Sequence, residues 1–143
     1  MKLDGLTQAE YLAIARDIYS KRASGDHEPI LELFHENATY RLIGSRALIP
    51  AAGLRVGKRE IREAWRAFDV DFETVDFDID DCVVETSRIS YISWRTLLRH
   101  RGASVIADLE GIDRIRWVDY RIVEFTRYFD TALMAALADR ETH

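Results

Sequence analysis

The stretch from Val105 to Trp117 constrains this chain most, because its side chains sort into two faces when taken two residues at a time. Val105, Ala107, Leu109, Gly111, Asp113, Ile115 and Trp117 share one face; Ile106, Asp108, Glu110, Ile112, Arg114 and Arg116 share the other. Such alternation marks a strand with one buried and one wet side, since successive side chains leave a pleated backbone in opposite directions. Asp113 is the exception on the apolar face. An unpaired carboxylate there is costly enough that it must find a proton or a partner.

The 143 residues form a chain of ordinary single-domain size, and no composition break divides it, so one domain over residues 1–143 is expected. A net charge of -5 with acids and bases interspersed leaves no basic stripe to neutralise phosphates, which argues against a nucleic-acid partner. The opening Met1-Lys2-Leu3-Asp4-Gly5 lacks the apolar run of a signal peptide, and no stretch is apolar for long enough to span a bilayer. A cytoplasmic protein without a membrane partner is the expectation. The single cysteine, Cys82, has no partner for a disulfide or a metal clip and is expected to fill apolar space.

Thr7-Gln8-Ala9-Glu10 has the form of a capping box, so a helix starts there, with Tyr11, Ile14, Ala15, Ile18 and Tyr19 at helical spacing and Asp17 set to pair with Lys21. Gly25-Asp26 ends it and is expected to cap a short second helix, with Pro29 in its first turn and Ile30, Leu33 and Phe34 on its inner edge. Asn37 to Gly44 reads as a strand with Ala38, Tyr40 and Leu42 on one side. Ser45 to Arg55 is too apolar for a wet loop; it is either an edge strand tucked onto the body or a flap over a pocket. Gly57-Lys58-Arg59 opens a third helix with Ile61, Ala64, Trp65 and Phe68 on one face.

From Thr74 strands follow. Val75, Phe77 and Ile79 alternate with Asp76, Asp78 and Asp80, a pattern lacking the glycine and trailing glutamate of a calcium loop. Ile89 to His100, Val105 to Trp117 and Arg121 to Phe129 come next, then an apolar turn or two with Leu133, Met134 and Leu137 capped by Asp130 and Thr131. The expected class is α+β, three N-terminal helices laid over a curved, mostly antiparallel sheet. The outward parity of Tyr91 or Ile92, Ile106 and Ile112 is more apolar than a free sheet face needs, which points to a homodimer.

Ala23-Ser24-Gly25-Asp26 with Leu33-Phe34-His35-Glu36-Asn37-Ala38-Thr39, then Val56-Gly57-Lys58-Arg59-Glu60-Ile61, Gly111 to Trp117, and Tyr128-Phe129-Asp130-Thr131-Ala132, together resemble the nuclear transport factor 2-like superfamily. The resemblance is to its SnoaL-like polyketide cyclase and ketosteroid isomerase branches and covers nearly the whole chain. It implies a cystatin-like cone whose mouth admits a small apolar molecule, without a cofactor. Aligned with the isomerase branch, the base position holds Leu42 and the oxyanion tyrosine falls near Ile18. Aligned with the limonene epoxide hydrolase branch, the Arg, Asp, Asp positions hold Trp94, Thr96 and Arg127, while the water-positioning tyrosine matches Tyr40. The buried acid shared by the isomerase and cyclase branches coincides with Asp113.

Arg127 is the natural companion for Asp113. A tight Asp119-Tyr120 turn would set Thr126 opposite Asp113, whereas a turn longer by one residue, or a bulge, brings Arg127 inward; the longer turn is preferred. Asp113 is expected to face an apolar cavity bounded by Tyr40, Leu42, Trp94 and Ile115. The candidate catalytic residues are Asp113, Arg127 and Tyr40, and the candidate ligand-lining residues are Leu42, Trp65, Trp94, Ile115 and Trp117. His27, His35, His100 and His143 form no metal-binding spacing, so no metal site is expected. Two functions stay open: an isomerase, cyclase or related lyase working by acid/base chemistry through Asp113 on an apolar oxygenated small molecule, or a non-catalytic ligand-binding or dimeric scaffold module.

Overall fold

The computed structural model describes residues 2–3, 6–47, 49, 51–85, 88–103 and 105–139; Leu48, Pro50, His143 and the side chain of Leu137 lie outside the described set. Two short strands, β1 (Lys2–Leu3) and β2 (Leu6–Thr7), pair with each other and lead into α1 (Gln8–Ser24). The capping box forms as the sequence predicts, the Thr7 hydroxyl oxygen accepting from the Glu10 N–H while Glu10 accepts from the Thr7 N–H. Tyr11, Ala15, Ile18 and Tyr19 are buried on the inner face of α1, and Lys21 pairs with Asp17 at 2.7 Å on the wet face. Gly25 closes the helix at φ 82°, and the N–H groups of Gly25 and Asp26 bond back to the carbonyls of Arg22 and Lys21.

The second helix departs from expectation. α2 runs only Glu28–Leu31, with His27, not Asp26, at its N-cap, and no side chain bonds there. Phe34 therefore begins β3 (Phe34–Leu42) and is not part of the helix edge; its side chain is fully buried in the sheet's core. In β3, Ala38, Tyr40 and Leu42 turn inward.

The chain then loops to β4 (Gly53–Val56), an edge strand antiparallel to β3. Ile49 and Ala52 are buried, and the Arg46 guanidinium donates to the carbonyls of Ala52 at 2.9 Å and Leu54 at 3.3 Å. Of the stretch Ser45 to Arg55, only Gly53 to Arg55 is the expected edge strand, and Ala51 just before it lines the cavity described below. α3 (Gly57–Asp71) follows, burying Ile61 and Trp65.

β5 (Phe72–Glu85), β6 (Ile89–His100), β7 (Ile106–Val118) and β8 (Arg121–Phe129) complete a sheet of order β4-β3-β8-β7-β6-β5, and α4 (Thr131–Asp139) closes the described chain. Every pairing is antiparallel except β3 with β8. β5 carries register shifts at Thr74/Asp76 and Ile79/Asp81, and such bulges bend a strand, so the sheet curls around the helices. The first bulge also turns Val75 outward, 44% exposed, against the simple alternation, while Phe77 and Ile79 stay half-buried. Asp130 caps α4 by accepting from the Leu133 N–H at 2.9 Å, and Met134 is buried. On the outer face of the sheet Ile106 and Ile112 are exposed and Tyr91 is half-buried; Ile92 points inward and is fully buried.

β7 has the two faces its sequence dictates. Ala107, Leu109, Ile115 and Trp117 are buried, and Asp113 among them has no exposed surface.

Candidate functional site

The hairpin between β7 and β8 decides what meets Asp113. Its turn is the tight two-residue Asp119-Tyr120 type, both residues at positive φ (49° and 64°), so the longer turn preferred on sequence grounds is absent. The extra residue sits further along: the register shifts between Arg116↔Glu124 and Trp117↔Ile122, leaving Val123 unpaired. That bulge sets Arg127 directly across from Asp113, and Thr126 across from Arg114.

Asp113 and Arg127 form a two-pronged pair, Nε donating to Oδ1 at 2.9 Å and Nη2 to Oδ2 at 2.8 Å. A third donor, the Tyr19 hydroxyl from α1, closes on Oδ2. Burial works against the Arg127 charge, but the Asp113 carboxylate at hydrogen-bond distance holds the guanidinium charged, well above the usual arginine range. Burial likewise pushes the Tyr19 hydroxyl well above its ordinary range, with the Asp113 charge adding to the effect, so Tyr19 stays protonated and donates.

The guanidinium lies in an aromatic basket, 4.9 Å from the centroid of Trp94, 5.6 Å from Phe125 and 5.9 Å from Tyr19. Trp94 lies across from Gly111 in the β6–β7 ladder, and a Cβ at Gly111 would run into the indole ring and come within 2.6 Å of the Tyr128 carbonyl oxygen. Gly111 is what lets the large ring lie flat on β7.

In front of the basket is a cavity of about 70 Å³, its walls including Tyr19, Arg22, Tyr40, Leu42, Trp65, Phe77, Trp94, Leu109 and Arg127. Tyr40, Leu42, Trp65, Trp94 and Arg127 of the sequence candidates are thus brought together. Asp113, Ile115 and Trp117 are not on the wall. Asp113 lies behind Arg127 and Tyr19, with both oxygens occupied, so the expected exposure of this carboxyl to the cavity is corrected. Ile115 and Trp117 lie further along β7 in the closed core, where Trp117 packs edge-on against Tyr11 at 5.7 Å and the Tyr11 hydroxyl pairs with Ser90.

Arg22 is the cationic residue that sequence reasoning missed. Its Nη1 donates to Asp69 on α3 at 2.8 Å, its guanidinium lies 5.4 Å from the ring centroids of Trp65 and Phe68, and its Nε is buried without a partner. Trp65 and Trp94 also carry buried indole N–H groups without partners. Tyr19 was placed correctly on the inner face of α1 but not assigned a role. The available signal was a buried tyrosine two turns after Tyr11, whose hydroxyl must find a polar partner in an apolar core.

Among the described residues no group of three or more His, Cys, Asp or Glu is arranged to hold a metal ion, and no helix is long and apolar enough to cross a membrane. A curved, mostly antiparallel sheet closed by N-terminal helices over an apolar cavity with a few converging polar groups is the architecture of the nuclear transport factor 2-like superfamily. Within it the chain belongs to the SnoaL-like domain family, whose model matches residues 15–125. Its fold is shared with a nuclear transport factor 2-like protein of unknown function from Burkholderia pseudomallei at 17% identity, TM-score 0.76, covering 88% of this chain and 95% of that one. A Bacillus subtilis protein with a provisional isomerase name matches at 14% identity, TM-score 0.77, over 87% of this chain and 89% of that one. A Mesorhizobium loti protein with a provisional SnoaL-like polyketide cyclase name matches at 13% identity, TM-score 0.65, over 82% and 97%. No curated protein matches the sequence significantly.

Proposed function

We propose that this protein binds an apolar, oxygenated small molecule in the cavity, with Arg127 as the group that contacts the ligand oxygen. The observation that carries this reading is that Asp113 occupies two N–H groups of Arg127 from behind while the same guanidinium forms part of the cavity wall. Asp113 is then a positioning residue, orienting Arg127 and neutralising its charge within the core. The apolar walls supply area for the ligand's carbon skeleton, and the Tyr40 hydroxyl is a further polar handle.

The same geometry supports a second reading, acid/base turnover of isomerase, cyclase or lyase type. A guanidinium fixed beside the ligand stabilises negative charge that develops on a carbonyl oxygen, and the provisional names of two structural neighbours point the same way. Among the described lining residues there is no carboxylate or imidazole, so Tyr40 or the substrate itself has to carry the proton in that case. Binding without chemistry needs no such addition and is the primary reading. We also propose a homodimer through the outer face of the sheet, where Ile106, Ile112 and Tyr128 are 46%, 47% and 47% exposed; light scattering at high micromolar concentration tests it, and a monomer refutes it.

The test of the cavity reading is ligand binding read by tryptophan fluorescence, since Trp65 and Trp94 line the site. A panel of small carbonyl compounds and carboxylates should quench the wild type saturably and leave an Ala64→Phe variant, whose new ring fills the cavity, unaffected. Equal quenching of both refutes the assignment.

A further inference from the structure

We infer that the ligand is a small organic anion, a monocarboxylate with at most one ring, held between the guanidinium groups of Arg127 and Arg22. The inference rests on the proposed cavity and narrows what fills it.

The first support is the sign of the wall. Among the described residues the ionisable side chains lining the cavity are Arg22, Arg127, Tyr19 and Tyr40, with no carboxylate and no histidine. The acids that neutralise the two arginines stand behind them, outside the lining: Asp113 is wholly buried beyond Arg127, and Asp69 reaches Arg22 from α3. Each pair is therefore a dipole with its positive end turned to the cavity. An anion entering meets two positive ends and no carboxylate surface, where the low dielectric strengthens the attraction.

The second support is the set of donors that Arg127 keeps free. Arg127 spends two of its five N–H groups on Asp113, which leaves three for a ligand. The Tyr19 hydroxyl hydrogen is committed to Asp113 and that of Thr96 to the Asp76 carbonyl at 2.7 Å, so neither donates into the cavity. A carboxylate accepts on two oxygens and carries the charge that complements the guanidinium; a primary amide accepts on one oxygen and brings no charge.

The third support is size. The cavity of about 70 Å³ is roughly half of an apolar void that takes up benzene. That leaves room for a carboxylate on a short branch or one ring seated partly in the mouth, and excludes a fused polycycle.

The experiment compares isosteric pairs by calorimetry and tryptophan fluorescence near pH 7.5: isobutyrate against isobutyramide, and benzoate against benzamide, with 1-naphthoate as the size probe. Each acid should bind at least tenfold more tightly than its amide, and 1-naphthoate more weakly than benzoate. Arg22→Gln should lower acid affinity severalfold and amide affinity by less, so that the acid preference shrinks. A variant with both Asp113→Leu and Arg127→Met, which removes the buried pair without leaving a charge behind, should bind acid and amide alike, both more weakly than wild type binds the acid, and show no preference for the acids. Amides binding as tightly as acids, or an acid preference that survives in both variants, overturns the anion inference and leaves the cavity reading intact. Tighter binding of 1-naphthoate overturns the size limit. Absence of saturable binding by all four small ligands overturns the inference and the cavity reading together.

Discussion

Replacing Asp113 by Asn exchanges one carboxylate oxygen for an amide nitrogen, removes the charge and changes almost no volume, and its cost follows from what surrounds the side chain. Asp113 has no exposed surface and accepts three hydrogen bonds, from Arg127 Nε at 2.9 Å, Arg127 Nη2 at 2.8 Å and the Tyr19 hydroxyl. An asparagine offers one acceptor oxygen and an NH₂ group in place of the second, so at least one donor faces another donor. The Arg127 charge, with its side chain 17% exposed, is left in the core without its counter-ion. Breaking one side of a buried pair costs about 3–5 kcal/mol. The lower end applies because Arg127 keeps contact with the cavity, so a loss of about 3 kcal/mol is expected, or roughly 10 °C in Tm for a chain of this length. Removing both partners with Asp113→Leu and Arg127→Met should return stability to within about 1 kcal/mol of wild type, since no orphaned charge remains. Urea unfolding followed by circular dichroism measures all three. An Asp113→Asn loss under about 1 kcal/mol, or a double variant as unstable as the single one, refutes the claim that the pair is a mutually dependent buried unit.

Three other outcomes are expected. Burial, with the neighbouring Arg22 charge next, lowers the His27 pKa below the usual 6.5; the folded state therefore prefers neutral His27, so stability is complete above about pH 6.5 and falls as the pH drops below it, a decline that His27→Gln should reduce in pH-dependent urea melts. Burial pushes the Cys82 thiol up to about 11, so native protein at pH 8 should react with a disulfide reagent only after unfolding, and prompt native labelling would contradict the packing of β5. Gly111→Ala should cost about 2–3 kcal/mol by forcing Trp94 off β7 or displacing the Tyr128 carbonyl, and an unchanged urea midpoint would show that the ring does not lie there.

The fold was legible where periodicity and local chemistry agree. The Thr7 capping box, the strands Ile89–His100 and Arg121–Phe129, and the inner face of β7 all follow from rules that act over a few residues. Legibility failed where a single inserted residue changes parity. Val75 turns outward because a bulge breaks the alternation, and nothing in Thr74-Val75-Asp76 marks the site of that bulge. At the β7–β8 hairpin the expected partner is right and only the preferred device is not: Arg127 reaches Asp113 through the bulge at Val123, the second of the two routes the sequence allows, and not through a longer turn. The short α2 was misjudged because Leu33 and Phe34 continue its apolar spacing, although Leu33 lies in the turn after the helix and Phe34 begins β3. Of the site, Asp113 stood out as a charge on an apolar face, yet its depth behind Arg127 depends on α1 delivering Tyr19 across 94 residues of sequence, which no local pattern encodes. Arg22 was hidden for the same reason, since it reads as an ordinary basic residue in the last turn of a helix.

The central claim is that Arg127, held from behind by Asp113, is the group that meets the ligand. Side-chain nitrogen NMR of arginine-labelled protein tests this directly, because a guanidinium fixed by two bonds to a buried carboxylate gives a resolved Nε–H signal in slow exchange with water. Titration with benzoate should shift the Nη signals of Arg127 in step with binding while its Nε signal stays protected. A ligand that saturates the protein and leaves every Arg127 signal unmoved would contradict the account.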